Sequence, residues 1–320
     1  MPTDTTSRRP VLPRMTVQAP GFSSTSPQSK LTCNLQVGSD FTYCKIALDI
    51  RKNGTLLTLA QLPAEVSRLE LVSNLGVIRE YNFGTGAETP LMNPLQSYLF
   101  SKGFSKQCYA ANGTTPLTTA LLTFDDPTRP TRAEREVLQL GTVGINTLQL
   151  NVYTRGLATD VYECRAYVTF IRRAYAYGFF EQHTMTNVNL IAGLARINTL
   201  PRDNDWFRII FMTGNLSLVS VWVDNVRTHE ISREKSRLAL TDTTLNYVED
   251  PNAFVLPFDD NGEITNQLPM VFRDANGAPT GNAVASLVFE CTNAALETVP
   301  VLQVVHFRGT LAGSVPAPAM

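Results

Sequence analysis

Two short acidic segments are the first place to look for chemistry. Asp125-Asp126 closes the run Leu122-Thr123-Phe124-Asp125-Asp126, and Asp259-Asp260-Asn261-Gly262 follows Leu256-Pro257-Phe258, with Glu263 next. Carboxylates grouped in this way supply oxygen ligands for calcium, or an acid and a base if they face one another across a cleft. A full EF-hand pattern is absent, and aspartate beside Asn-Gly is also standard turn chemistry. The three histidines, His183, His229 and His306, lie far apart, with no second His or Cys at ligand spacing and no His-x-His pair. Each reads as a surface or core-edge residue. No nucleophile elbow, phosphate-binding loop or dinucleotide fingerprint occurs, and Gly84-Thr85-Gly86 lacks the third glycine and the helix that should follow it. The expectation is a protein with no catalytic residues, no bound metal and no cofactor.

Cys33, Cys44, Cys108, Cys164 and Cys291 are odd in number and contain no C-x-x-C pair. They read as small buried hydrophobes of a protein folded in a reducing compartment. The N-terminus has no apolar run of signal-peptide length, and no run long enough to span a membrane occurs, so the chain is expected to be soluble and to fold in the cytoplasm. With 27 basic and 28 acidic residues, it has no global field to draw it onto nucleic acid. Charged residues make up 17% of the chain, below the roughly 25% of an average soluble protein, so the surface is polar but sparsely charged.

The second acidic segment repeats the first, and the strand-like runs that follow repeat in the same order. Leu148 to Tyr153 and Tyr167 to Arg172 come after Asp126; Ala285 to Phe289 and Val304 to Arg308 come after Asp260. Sliding Leu69 to Tyr81 onto Val219 to Ile231 needs no gap and superposes Leu69 on Val219, Leu71 on Val221 and Glu80 on Glu230. Similarity occurring twice in fixed order signals duplicated domains, because solenoid repeats are shorter and more numerous. The acidic segments then mark one corner of two related domains.

The elements that must hold these corners are strands. Lys45 to Ile50 alternates with period two, and Trp206 to Met212 and Leu216 to Val223 are rich in branched and aromatic residues. Helix signals are two: an Asn93-Pro94-Leu95-Gln96 start and a Thr131-Arg132-Ala133-Glu134 capping box, both read as insertions between strands. Each half offers the strand complement of a jelly roll. The predicted fold is all-β, two consecutive eight-stranded jelly rolls with short inserted helices: residues 31–175 and 176–312, with the boundary near Tyr175. Residues 1–30, rich in Pro, Ser and Thr, read as a flexible N-terminal arm, and 313–320 as a C-terminal tail. Arg8, Arg9 and Arg14 are the arm's candidate contacts with phosphates or with neighbouring subunits.

The run from Arg196 to Ser232 (RINTLPRDNDWFRIIFMTGNLSLVSVWVDNVRTHEIS) resembles the second domain of double jelly-roll major capsid proteins of lipid-containing icosahedral phages, in particular the corticovirus-like coat proteins. Leu57 to Arg79 and Leu140 to Val152 are similar to the first domain of that group. The resemblance covers strand and turn patterns from about residue 40 to 310, and it departs in the Pro-rich first 30 residues and around Phe83 to Gly113. It implies a non-enzymatic virion protein: a homotrimer of six jelly rolls forming a pseudo-hexagonal tile of an icosahedral shell. Its implied partners are itself, a vertex protein and an internal lipid membrane, with no sequence-specific nucleic acid binding. The alternative is a two-domain β-sandwich that binds carbohydrate or recognises a host. That would need aromatic side chains clustered on one exposed face, whereas Trp206 and Trp222 sit in strand-like runs.

Overall fold

The structure is a computed structural model describing residues 14–18, 22–24, 30–86, 92–102, 117–125, 136, 138–157, 159–173, 179–243, 250–259, 267–273 and 279–308. In the first half, β1 (Arg14–Gln18) and β2 (Phe22–Ser24) both pair with β11 (Tyr162–Arg172). On its other side β11 pairs with the long β4 (Phe41–Lys52), which in turn carries β5 (Thr55–Leu56), β8 (Ala120–Thr123) and β9 (Leu140–Gly141). The second sheet of this half runs in the order β3 (Lys30–Leu35), β10 (Leu148–Thr154), β6 (Val66–Ser73), β7 (Gly76–Asn82).

The second half repeats this plan. One sheet is β12 (Phe179–Leu190), β21 (Glu297–Arg308), β14 (Asp205–Phe211) and β17 (Phe254–Pro257). The other is β13 (Gly193–Ile197), β20 (Leu287–Asn293), β15 (Leu216–Val223) and β16 (Val226–Ser232). A small ribbon of β18 (Val271–Arg273) and β19 (Pro279–Ala283) is inserted before β20.

The duplication holds at the level of single hydrogen bonds. Leu69 faces Tyr81 across the β6–β7 hairpin as Val219 faces Ile231 across β15–β16, and each hairpin carries a bulge at the same step, after Leu71 and after Val221. The Phe-Asp-Asp corners also match: the Phe124 N–H donates to the Cys44 carbonyl and the Phe258 N–H to the Phe207 carbonyl, both at 2.8 Å. The sequence alternation explains which face each strand buries, as in β20, where every second residue from Leu287 to Asn293 is buried. Strands β14 and β17 are different: every residue is buried, so both of their faces are covered.

Composition predicts a flexible segment through residue 30. Within that segment the described β1 and β2 pair through their backbones with β11 at the sheet end, so these two pieces are held by a ladder. Among the described residues the first half holds the helices α1 (Leu62–Glu65) and α2 (Pro94–Ser101). The α2 start is as predicted: Asn93 Oδ1 accepts from the Gln96 N–H at 3.0 Å, and Asn93 Nδ2 also donates to the Leu59 carbonyl at 2.7 Å. Asn93→Ala is expected to cost about 1–2 kcal/mol, read as a lower urea midpoint at unchanged m-value. The Thr131–Glu134 capping box lies outside the described residues. A third helix, α3 (Arg233–Thr243), has no predicted counterpart. Its start is marked only by Ser232, whose Oγ accepts from the Lys235 N–H at 3.3 Å, without the acidic or amide partner that makes such a start legible.

Candidate functional site: the seam between the jelly rolls

The two halves meet where β7 and β12 pair in parallel at Arg79 and His183, turning two four-stranded sheets into one of eight strands. Over this junction lies α2, which touches β7 on one side and β14 on the other. Its apolar residues Leu95, Tyr98 and Leu99 belong to the same hydrophobic cluster as Phe180, Phe207 and Ile210 of the second half. A separate cluster around Trp206, Phe211 and Phe289 fills the interior of the second half alone. This is why β14 is buried on both faces.

Within the seam sits a cluster of charged side chains that are almost wholly shielded from solvent. Lys102, at the end of α2, reaches Glu181 Oε1 at 3.3 Å and Asp259 Oδ2 at 3.0 Å. Arg208 Nε donates to Asp259 Oδ1 at 2.8 Å, and its Nη1 donates to the carbonyl and hydroxyl oxygens of Ser101. Tyr98 Oη donates to Glu181 Oε2 at 2.5 Å, and Ser97 Oγ to Asp250 Oδ2 at 2.6 Å. His183 is fully buried, its Nδ1 2.7 Å from Tyr81 Oη and its Nε2 3.6 Å from Glu181 Oε2. Apart from the Arg208 pair with Asp259 and the His183 pair with Glu181, each of these contacts joins a residue of the first half to one of the second.

Electrostatics follow from this packing. Burial, assisted by the nearby Arg79 charge, holds the His183 imidazole neutral, with its pKa lowered to about 3. For Glu181, burial alone would raise the pKa, but Lys102, His183 and Arg79 outweigh it and hold the carboxyl well below the usual range. Burial and the Glu181 charge push the Tyr98 hydroxyl well up, so it stays a donor. Neutral His, ionised Glu and cationic Lys tie the two halves together away from solvent. Nothing in this cluster is presented to a substrate.

Next to the seam a cleft of about 870 Å³ is lined by Glu80, Met92, Met185, Asn187, Met212 and Glu297, among others. Glu297 is engaged by Thr213, Asn215 and Asn293, and the Asn82 N–H donates to Met185 Sδ at 3.0 Å. Glu80 has its pKa raised by burial and by the Glu70 charge.

Of the sequence's candidate acids, the described Asp125 and Asp259 sit in different surroundings. Asp125 accepts from Gln139 Nε2 at 2.5 Å in the first half, while Asp259 anchors the seam; Asp126, Asp260 to Gly262 and Glu263 lie outside the described residues. Among the described residues, no group of three or more His, Cys, Asp or Glu is placed to hold a metal ion. His229 meets Phe258 edge-on, and His306 stacks on Phe207. The burial of His183 corrects the expectation of a surface or core-edge residue. Cys33, Cys44, Cys164 and Cys291 are buried thiols not joined in disulfides, and Cys108 is outside the described residues. Arg14 opens β1 opposite Ile171; Arg8 and Arg9 are outside the described residues. Trp206 is core, whereas Trp222 is half-buried, with Nε1 bonded to Glu290 Oε2 at 2.9 Å. No helix among the described residues is long and apolar enough to cross a membrane.

The seam residues had one sequence signal: Arg208 interrupts the otherwise apolar run Trp206 to Met212, and a charge inside such a run needs a buried partner.

Two jelly rolls with one strand order, fused in tandem through a buried seam, define a double jelly roll. The same fold is found in major capsid proteins of icosahedral viruses. The structure matches the major capsid protein of bacteriophage PM2 with a TM-score of 0.71 at 13% identity, covering 93% of this chain and 98% of that one. It matches the major capsid protein of Sulfolobus Turreted Icosahedral Virus with a TM-score of 0.63 at 9% identity, covering 92% and 97%. The VP54 protein of PBCV-1 follows at 0.55 and 8% identity, covering 95% and 96%. No family model and no curated protein sequence matches the chain. At such identities the likeness establishes the fold, and it does so over nearly the full length of both partners.

Proposed function

We propose that this chain is a major capsid protein that assembles as a pseudo-hexagonal homotrimer and tiles an icosahedral shell, with a structural rather than catalytic role. The observation that carries this reading is the match of a duplicated jelly roll, joined by a buried seam, to viral capsid proteins over more than nine-tenths of both chains. Three copies of two similar domains make a six-sided tile. Distributed, sparsely charged contact surfaces suit such a lattice.

The domain assignment is residues 31–175 and 176–312, with β1 and β2 added to the first jelly roll. The link between the two lies in residues 174–178, after β11 and before β12. Pairing of Arg14 with Ile171 and of Phe179 with Arg308 puts the chain segments before β1, between the halves and after β21 at one end of the strands. We assign that end, with Arg8, Arg9 and Arg14, to the inside of the shell, where an internal lipid membrane or neighbouring tiles would be met. A vertex protein would occupy the fivefold positions.

Light scattering on the full chain is expected to give three times 35.3 kDa, and negative-stain images of assembled material hexagonal tiles or closed shells. A monomer that binds glycans on an array would replace this reading with that of a recognition module. Deleting residues 1–13 is expected to leave the trimer intact and to lower the yield of closed shells at least several-fold, counted by electron microscopy. Normal particle yield from that truncation would remove the arm from the assembly mechanism. The deletion must stop at residue 13, because β1 begins at Arg14.

A further inference from the structure

The duplication shows which edges one copy offers to the next. Within the chain, β7 of the first half is covered along its edge by β12 of the second, with Arg79 paired to His183. The hairpin registers make β16 the counterpart of β7, with His229 in the place of Arg79. The pairing with β11 and β21 likewise makes β1 the counterpart of β12. Thr16 lies opposite Thr169 as His183 lies opposite Val304, and Thr169 and Val304 are themselves counterparts, because they pair with Lys45 and Arg208, which face Thr123 and Pro257 of the two repeated corners.

The covered and uncovered members differ in exposure as this relation requires. In β7, Ile78, Arg79 and Tyr81 are buried; in β16 their counterparts Thr228, His229 and Ile231 are exposed or half-buried. Val226 at the start of β16 is 64% exposed, and Leu238 on α3, which packs beside β16, is also 64% exposed. Strand β16 ends its sheet, and β1 ends the other, pairing among the described residues only with β11. Open strand edges are templates for pairing with another chain.

We propose that the β16 edge of one copy, together with Leu238, docks in parallel on the β1 edge of a second copy, His229 facing Thr16, repeating between chains the seam that Arg79 and His183 make within one. The contact joins two different surfaces and is therefore head-to-tail. Such a contact forms a ring when its rotation closes. Closure at three copies rests on the trimeric reading above.

The test uses the full chain carrying Thr16→Cys and His229→Cys together, with light scattering and a non-reducing gel after mild copper-phenanthroline oxidation. The expected result is a trimer that cross-links into a three-chain species, absent from either single variant. A trimer without the cross-link overturns the edge assignment and leaves the trimer standing. A monomer overturns the trimer itself, and the edge pairing with it. A second variant, Val226→Asp with Leu238→Asp, changes two exposed side chains and is expected to keep the native circular dichroism while weakening trimer association at least tenfold. Unchanged association would equally overturn the proposal.

Discussion

Asp259→Asn is expected to destabilise the protein by about 3–5 kcal/mol, because removing one partner of a buried ion cluster leaves the others charged and uncompensated. Asparagine keeps the volume, so the effect isolates charge. Without the carboxylate, Lys102 and Arg208 are left near one another, both almost wholly buried, where Asp259 had accepted from each. The matched control is Asp125→Asn, at the corresponding corner of the first half. There the carboxylate accepts from Gln139 in a partly buried setting, and the expected cost is about 1 kcal/mol. Urea unfolding of the two variants side by side is the measurement. Equal midpoints for the two would show that the seam does not depend on its charges.

The second large effect is on acid stability. His183 has its folded pKa lowered to about 3, against about 6.5 for an unperturbed histidine, so between these values the unfolded chain binds a proton that the folded one refuses. This contribution is fully present above about pH 6.5 and is lost as pH falls towards 3, at roughly 1.4 kcal/mol per pH unit. Glu181, also held low, adds to the loss once pH drops below the usual carboxylate range. Stability measured from pH 7 to 4.5 is therefore expected to fall by roughly 3 kcal/mol on account of His183. In His183→Gln, which retains an acceptor for Tyr81, the slope should flatten by that amount. His229 and His306 are present in both proteins, so the difference between the two profiles belongs to position 183. Parallel profiles would mean that His183 protonates in the folded state without penalty.

Much of the fold is legible in the residues, and the reason is local. Strand alternation in β4 and β10, the Asn93 start of α2 and the repeated Phe-Asp-Asp corner are each written within a few residues. The hairpin superposition of Leu69 on Val219 is borne out down to the bulge, because hairpin register depends on turn length and side-chain period. What was illegible is of two kinds. Strands β1 and β2 have the composition of an arm and are recruited by a ladder partner, β11, that lies far along the chain. Helix α3 rests on tertiary packing, including the buried Leu240 and the Ser236 hydroxyl bonded to the Val255 carbonyl, more than on its own start signal.

By itself, the sequence determined that there are two similar all-β halves, in what order their strands run, and that histidine and cysteine are not spaced to hold a metal. Patterns of period two, turn residues and self-similarity need only neighbours to be read. Only the tertiary structure decided what the two acidic corners are for. Asp125 and Asp259 begin as copies, yet one stays in a private bond with Gln139 and the other is enclosed by Lys102 and Arg208. The difference arises because α2, inserted after β7, crosses to the second half and brings Lys102 with it. No spacing in the chain records which surfaces a fold will press together, and the energy of a buried charge depends on that alone.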